Sequence, residues 1–345
     1  MIHFDCDYAE GALERVLERL CATNMVQQPG YGKDDYCDAA RQLFQKLCDA
    51  PNADVHFLVG GTQTNKIVIA SILRPHQGVI CVESGHIAVH ETGAIESNGH
   101  KVLTLPGHDG KLTADDIRDV CARHYSDPGR DLCVQPGLVY ISQTTEVGTL
   151  YSLKELEEIS AACHELGLPL FVDGARLGYG LAVEGNDVGL PDLARLSDVF
   201  YFGGTKIGAL LGEAVIFSNP ALSRDFRYIA KQNGGMLAKG RVLGLQFLAL
   251  LEDDFYMQPC RRADDQAMRI RRFLEKKGIR MKYPSASNQQ FPILPDRVIS
   301  ALSDRYIFAI NERETPDSTV VRICTSWATR NDDVERLLAD FDAVL

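Results

Sequence analysis

The chain has 345 residues, of which 45% are hydrophobic, which is enough for a large domain with a smaller partner domain. The net charge of −11 argues against nucleic acid or an anionic membrane as a partner, and no apolar run approaches the roughly 20 residues that a membrane span needs. The ten cysteines lack CxxC spacing and the amino terminus lacks a charged-then-apolar signal, so we expect reduced cysteines in a cytoplasmic protein.

Alternating helices and strands are predicted for the first two thirds of the chain. Apolar residues at helical spacing predict helices over 10–22 and 35–49, and helical patterns at 64–73, 113–123 and 152–166 separate most of the strand-like runs. Strands that are apolar throughout predict a mostly parallel sheet with helices on both faces. The seven runs are VHFLV (55–59), GVICV (78–82), KVLTL (101–105), LVYIS (138–142), LPLFV (168–172), DVFYF (198–202) and EAVIF (213–217).

The pattern changes after about residue 235. Long helical stretches at 239–256 and, after Pro259, at 260–277 lead into short strand-like runs and a last helix at 331–344. We therefore predict a large α/β domain and a smaller α+β domain at the carboxyl terminus. The predicted boundaries are residues 1–238 and 239–345, and the late strand-like runs are IRMKY, QFPIL, RYIFAI and TVVRICTSW.

A turn suited to binding a phosphate follows the first run. The sequence GGTQTN (60–65) places small residues between a strand and a helix, where backbone N–H groups point outward at the positive helix end. Gly61 and Thr62 are the expected donors. The alternative is a tight turn with a threonine cap. Neither a Walker loop nor GxGxxG is present, so nucleotide binding has little support.

An acid and a lysine follow two later runs and together indicate a cofactor. Asp173 ends the run in FVDGAR, and Lys206 lies between glycines in GGTKIG. Pyridoxal phosphate needs a lysine for its Schiff base and a carboxylate that keeps its pyridine nitrogen protonated. Arg176 suits a bidentate contact with a substrate carboxylate. The alternatives are a helix cap or an Arg176 salt bridge for Asp173, and a solvated surface position for Lys206.

His86 follows the strand-like run at 78–82. A histidine at this end of an open α/β sheet can stack on a planar ring or relay protons, and its alternative is a surface loop position. His90 and Glu91 close by raise the possibility of a zinc site, because two histidines four residues apart on a helix can share a metal ion. HxxxHE is not HExxH and no third ligand is evident, so we predict no metal.

These segments together resemble the threonine aldolase / β-eliminating lyase family of fold-type-I enzymes that depend on pyridoxal phosphate. The likeness covers nearly the whole chain, and PLFVDGARL is similar to the most specific motif of the family. It implies a transferase-like α/β fold in which a mostly parallel seven-stranded sheet is sandwiched by helices. The segments are PGYGKDD (29–35), GGTQTN (60–65), ESGHIAVHETGA (83–94), PLFVDGARL (169–177), GGTKIG (203–208) and VRICTSW (321–327).

The resemblance assigns a cofactor role to several residues. Lys206 would form the Schiff base, Asp173 would pair with the pyridine nitrogen, and His86 would stack on the ring. The phosphate would be held by Gly61, Thr62 and Thr205.

Other residues would bind the substrate or act between subunits. Arg176 and Arg322 would bind the substrate carboxylate. Tyr31 is assigned to the substrate site, from a loop that such enzymes place near an active site across a dimer interface. Lys239 would add positive charge at the phosphate of a neighbouring subunit. The resemblance thus implies a homodimer or homotetramer with shared active sites.

Two positions depart from the family pattern. Thr145, in SQTTEVGTLY (142–151), replaces a histidine implicated in catalysis, and Cys6 replaces a serine that contacts the substrate. Both positions are therefore assigned to the substrate site. The catalytic base is left to His86 or Glu146.

The expected reaction is cleavage of a β-hydroxy-α-amino acid of the threonine or allo-threonine type to glycine and an aldehyde. Transamination or β-elimination of another small L-amino acid is the alternative, because residues that bind the cofactor do not decide which bond breaks. A non-catalytic α/β binding protein is the third hypothesis, and the presence of Lys206 and Asp173 argues against it.

Overall fold

The structure, a computed structural model, describes residues 1–345. A sheet of seven strands forms its centre, in the order β2-β8-β7-β6-β5-β3-β4. β8 pairs antiparallel with both β2 and β7, and every other pair in this sheet is parallel. The strands are β1 (Ile2–His3), β2 (Asp54–Leu58), β3 (Gln77–Val82), β4 (Lys101–Leu105), β5 (Gln135–Ser142), β6 (Leu170–Asp173), β7 (Val199–Gly203), β8 (Glu213–Phe217), β9 (Gln289–Gln290), β10 (Ile293–Pro295), β11 (Tyr306–Ile307), β12 (Ala309–Thr315) and β13 (Ser318–Cys324).

Thirteen α-helices surround the strands, which confirms the predicted architecture of a mostly parallel seven-stranded sheet between helices. None of the helices is long and apolar enough to cross a membrane. The helices are α1 (Glu14–Ala22), α2 (Asp35–Leu47), α3 (Gly61–Ile72), α4 (His86–Val89), α5 (Ala114–Ser126), α6 (Leu153–Leu166), α7 (Leu177–Ala182), α8 (Leu190–Leu196), α9 (Phe226–Gln232), α10 (Arg241–Leu251), α11 (Met257–Lys276), α12 (Asp296–Leu302) and α13 (Asn331–Val344).

The large sheet buries both of its faces. Successive side chains of a strand point to opposite faces, so Phe200 and Phe202 of β7 pack in one core while Val199 and Tyr201 pack in the other. The first core includes residues of α2, α5, α6 and α10, and the second includes residues of α3 and α9. This two-sided burial explains why the seven runs are apolar throughout.

The carboxyl-terminal region has its own core. β10, β12 and β13 form an antiparallel sheet, and α11, α12 and α13 pack on it through residues such as Ile270 and Phe341. The chain start joins this region, because β1 pairs with β11 and Phe4 lies in the same core. α10 packs with the large sheet through Phe247. The domain boundary between residues 238 and 239 stays a prediction.

Element ends differ from the prediction by a few residues in most places. α11 begins at Met257, before Pro259, because a proline in the first turn of a helix removes no hydrogen bond. IRMKY contributes only an isolated bridge between Met281 and Pro292. This segment is therefore not the regular strand that its apolar residues predicted.

Candidate active site

Polar residues lie at the carboxyl ends of five parallel strands, at one edge of the large sheet. A cavity of about 240 Å³ lies there, beyond the carboxyl ends of β2, β3, β5, β6 and β7. Ligands of open α/β sheets bind at this edge. Of the residues predicted from the sequence, the cavity lining brings together Gly61, Thr62, His86, Glu146, Asp173, Arg176, Thr205 and Lys206.

Lys206 lies in a short 3-10 turn, Thr205–Ile207, just after β7. Tyr179 Oη donates a hydrogen bond to the Lys206 carbonyl at 2.6 Å, and Gly208, at φ +107°, lets the chain reverse toward β8. The Lys206 amine forms no salt bridge. Burial and the charge of Arg176 lower the pKa of Lys206, although Asp7, Asp173 and Glu213 oppose the shift. An amine of lowered pKa is a better nucleophile near neutral pH.

Asp173 is buried at the end of β6 and accepts four hydrogen bonds. Tyr201 Oη and the Ala175 N–H donate to Oδ1, while Tyr140 Oη and Asn65 Nδ2 donate to Oδ2. Burial alone would raise the pKa of Asp173, but positive charge at His86 and the tyrosine hydrogen bonds lower it overall. Asp173 is therefore an anion at neutral pH, as a partner for a protonated pyridine nitrogen must be.

Arg176 forms a buried, two-pronged ion pair with Asp7. Arg176 Nε and Nη2 donate to the two carboxylate oxygens at 2.7 Å and 3.1 Å, and Asn288 Nδ2 donates to Asp7 Oδ2. Burial would raise the pKa of Asp7, but the charges of Arg176 and Lys206 lower it to about 2. One edge of the guanidinium is thus fixed by Asp7, and Nη1 is left for a ligand.

His86 begins α4 and is joined to Asp173 through two side chains. His86 Nδ1 lies 2.8 Å from Oε1 of the buried Glu91, and Asn65 Nδ2 donates both to Glu91 Oε1 and to Asp173 Oδ2. This contact with the Glu91 carboxylate fixes the orientation of the imidazole ring. His86 Nε2 is the ring nitrogen that this contact leaves free.

Glu146 lies in the loop after β5 and lines the cavity. Its Oε1 accepts hydrogen bonds from the His86 N–H and from Ser142 Oγ, whereas its Oε2 is buried without a partner. Burial raises the pKa of Glu146, and the hydrogen bond from Ser142 opposes the shift. This carboxyl group can therefore gain or lose a proton closer to neutral pH than an exposed glutamate can.

The start of α3 forms the phosphate end of the cavity. α3 has no side chain that caps its first turn, and its hydrogen bonding begins at Thr64, so the amides of Gly61 and Thr62 have no partner within the helix. A Cβ on Gly61 would lie 3.2 Å from Tyr201 Oη. The uncapped amides, the anionic Asp173 and the unpaired Lys206 fit pyridoxal phosphate.

Three predicted substrate residues lie outside the lining of this cavity. Thr145 is buried with its hydroxyl 2.7 Å from Thr149 Oγ1, and the neighbouring Thr144 lines the cavity in its place. Arg322 lies on β13 and donates from Nη2 to the Asp5 carbonyl, while its Nε is buried without a partner. Cys6 directly follows Asp5 in the chain and therefore lies near Arg322.

Tyr31 and Lys239 also lie away from this cavity. The Tyr31 carbonyl accepts a hydrogen bond from Arg227, and Lys231 Nζ lies 4.7 Å from the centre of the Tyr31 ring. Lys239 is exposed beside the Tyr31 loop. The roles in a neighbouring subunit that the resemblance implies for both residues stay predictions.

Sequence reasoning missed several polar residues that either line the cavity or form hydrogen bonds with the side chains that line it. Glu213 opens the otherwise apolar run EAVIF, and a charged residue at the end of a buried strand is a signal that could have found it. Asp7 could not have been found by spacing, because it is 169 residues from Arg176. The other missed residues are Asn65, Glu91, Tyr140, Ser142 and Tyr201.

Comparison with known protein families identifies the family of this chain. The sequence model of the beta-eliminating lyase family matches residues 7–295. The chain belongs to the beta-eliminating lyase family. Among relatives in this family, a low specificity L-threonine aldolase of Pseudomonas sp. (strain NCIMB 10558) is 33% identical over 99% of this chain and 95% of its own length. A protein of the same name from Pseudomonas aeruginosa is also 33% identical, over 99% of this chain and 97% of its own.

Solved structures agree with this family assignment. The threonine aldolase of Leishmania major superimposes with a TM-score of 0.96 and 44% sequence identity, covering 99% of both chains. The aspartate aminotransferase of Thermus thermophilus has a TM-score of 0.73 at 14% identity, covering all of this chain and 92% of its own. At that identity the second likeness shows the fold alone, and it confirms the fold-type-I architecture.

The ion pair between Asp7 and Arg176 gives a testable prediction. Replacing Asp7 with alanine leaves the Arg176 charge buried and unpaired, so we expect a loss of about 3–5 kcal/mol in the free energy of unfolding. Urea denaturation followed by circular dichroism measures this loss. In the control Glu335→Ala, which breaks an exposed pair with Arg269, the expected loss is below about 1 kcal/mol. Equal losses in the two variants would contradict the assigned role of Asp7.

Proposed function

We propose that this protein is a pyridoxal phosphate-dependent aldehyde-lyase of the threonine aldolase type. It cleaves a β-hydroxy-α-amino acid such as threonine or allo-threonine into glycine and an aldehyde. One observation carries the proposal: an unpaired Lys206 shares a cavity with the anionic Asp173 in a chain whose full-length relatives are named threonine aldolases. The proposal includes the site residues below.

The cofactor would be held at four points. Lys206 holds its aldehyde end, Asp173 its pyridine nitrogen, and His86 the face of its ring. The amides at the start of α3 hold its phosphate, with Gly61 and Thr62 as donors. When bound, pyridoxal phosphate supplies an electron sink for the bond that breaks at Cα.

The two arginines would bind and orient the amino-acid carboxylate. Arg176 presents its remaining nitrogen, Nη1, because Asp7 holds the other edge of the guanidinium. Arg322 has an unpaired Nε, which gives it a free donor. A carboxylate fixed by these charges holds Cα and its substituents in one orientation relative to the ring.

Glu146 would take the proton of the β-hydroxyl group. As the Cα–Cβ bond of the substrate breaks, the hydroxyl O–H bond also breaks and the aldehyde C=O bond forms, so an acceptor is needed for that proton. Glu146 Oε2 is unpartnered, while Ser142 and the His86 N–H hold Oε1 in place. A proton must then reach Cα to complete glycine.

The proposal also includes an oligomer with active sites shared between subunits, and a reducing compartment. We propose a homodimer or homotetramer in which Tyr31 and Lys239 approach the active site of a neighbouring subunit. Their exposed positions outside the cavity of their own subunit support this arrangement. All ten cysteines are free, which supports a cytoplasmic location.

Product analysis tests the reaction. With pyridoxal phosphate and L-threonine, the protein should form glycine and acetaldehyde in equal amounts, because the Cα–Cβ bond is the one that breaks. Lys206→Ala should form neither product and should lose the visible absorbance of the bound cofactor. Formation of 2-oxobutanoate and ammonia would indicate β-elimination instead, whereas transfer of the amino group without release of ammonia, with the carbon chain and the hydroxyl group kept, would indicate transamination. Either outcome would contradict the proposed cleavage.

The pH dependence of kcat/KM tests the role of Glu146. Because burial raises the pKa of Glu146, its proton-accepting form is lost as the pH falls through a value above that of an ordinary glutamate. We expect kcat/KM to fall on that acidic limb. Glu146→Gln should abolish the limb and lower kcat by roughly 10²–10⁴-fold. In the comparison variant His86→Phe, which keeps a ring that can stack, the limb should persist. A limb that disappears only in His86→Phe would assign the base to His86.

A further inference from the structure

Glu213 is a buried carboxyl group of the cavity without an assigned role. It is the first residue of β8, and because β8 runs antiparallel, it lies at the edge where β2 and β7 end, opposite Leu58 and Gly203. Glu213 is only 4% exposed and lines the same cavity as Lys206.

The contacts of Glu213 leave one oxygen free. Thr205 Oγ1 donates a hydrogen bond to Oε1 at 3.0 Å, whereas Oε2 is buried without any partner. No cation pairs with this carboxyl group. Burial raises the pKa of Glu213 to about 8, although the nearby Lys206 and Thr205 oppose the shift. An ionised carboxylate in this position is costly unless it gains a proton or a partner.

Three carboxyl groups act on the charge of Lys206, and only one of them can take a proton easily. Asp7 is neutralised by Arg176, and all four acceptor positions of Asp173 are filled by hydrogen bonds. Tyr201, which lines the cavity with Glu213, donates a hydrogen bond to Asp173 and keeps its proton, because burial raises the pKa of Tyr201 well above its ordinary value. Glu213 is therefore the acceptor with a free lone pair.

We propose that Glu213 accepts the proton of the Lys206 ammonium group, so that Lys206 has a neutral amine inside the cavity. One N–H bond of Lys206 breaks, an O–H bond forms on Glu213, and the electron pair stays on the nitrogen. The total charge of the pair stays at zero, and both groups become neutral, so neither of them remains as a buried charge. The inference rests on the proposed function, because the amine needs this lone pair to bind the aldehyde of pyridoxal phosphate. Glu213 acts through Lys206 and is a positioning residue for its charge state.

The rate of cofactor uptake tests this role without measuring turnover. Protein freed of cofactor is mixed with pyridoxal phosphate, and the growth of visible absorbance is followed from neutral to alkaline pH. Wild-type protein should take up the cofactor at nearly constant rate across this range. Glu213→Gln should be at least about tenfold slower near neutral pH and should approach wild type as the pH rises, because solvent then removes the Lys206 proton. The control Glu335→Gln should behave as wild type.

Infrared spectroscopy of the wild-type protein provides a second measurement that needs no variant. In wild-type protein without cofactor, a carboxylic acid C=O band should titrate at about pH 8. If Glu213→Gln folds, this band should be absent from its spectrum, which assigns the band to Glu213. Uptake by Glu213→Gln at the wild-type rate and pH profile would overturn the inference and leave the proposed function standing. So would a wild-type protein without a carboxyl band that titrates in this range. Failure of the wild-type protein to take up pyridoxal phosphate would overturn both.

Discussion

The position of Lys206 depends on how β7 and β8 are joined. The antiparallel pairing of these strands closes the turn that contains Lys206, and Gly203 lies opposite Glu213 across the pair. The turn is held by the Tyr179 hydroxyl on the Lys206 carbonyl and by Gln246, whose side chain accepts from the Leu210 N–H. The backbone of Lys206 is thereby fixed at the sheet edge, and its side chain lines the cavity. The other charged groups in the cavity have to accommodate the charge of the Lys206 amine.

The remaining charges are arranged in two groups around this lysine. In the first group, Asp7 near the chain start pairs with Arg176, which precedes α7, and accepts a hydrogen bond from Asn288 of the carboxyl-terminal region. Asp7 therefore connects these three parts of the chain. In the second group, Glu91 and Asn65 connect His86 to Asp173. In each group the carboxylates accept hydrogen bonds from neighbouring side chains, which lets the cavity hold several charges at low dielectric. Glu146 and Glu213 each line the cavity with one oxygen that has no partner, and Glu91, behind His86, also has an unpartnered Oε2.

Site residues next to strand ends could be predicted from the sequence, because apolar runs give the positions of the strands. The carboxyl ends of parallel strands then define the edge of the sheet where a ligand binds. Asp173, Lys206, His86 and Gly61 were found in this way, and the structure brings them to one cavity. Partners that come from distant segments could not be predicted, since nothing in local spacing relates Asp7 to Arg176. The hydroxyls of Tyr140 and Tyr201 were also missed, because a tyrosine within an apolar strand has the pattern of a core residue. Thr145 is a third case, because its hydroxyl is buried against Thr149 and the neighbouring Thr144 lines the cavity.

The central claim is that the Lys206 amine is the group to which the cofactor becomes attached. Borohydride reduction of protein loaded with pyridoxal phosphate makes such an attachment permanent, and peptide mass mapping then locates it. The account predicts a single pyridoxyl label, on Lys206. A label on another lysine, such as Lys66 or Lys239, or a loaded protein that carries none, would contradict it.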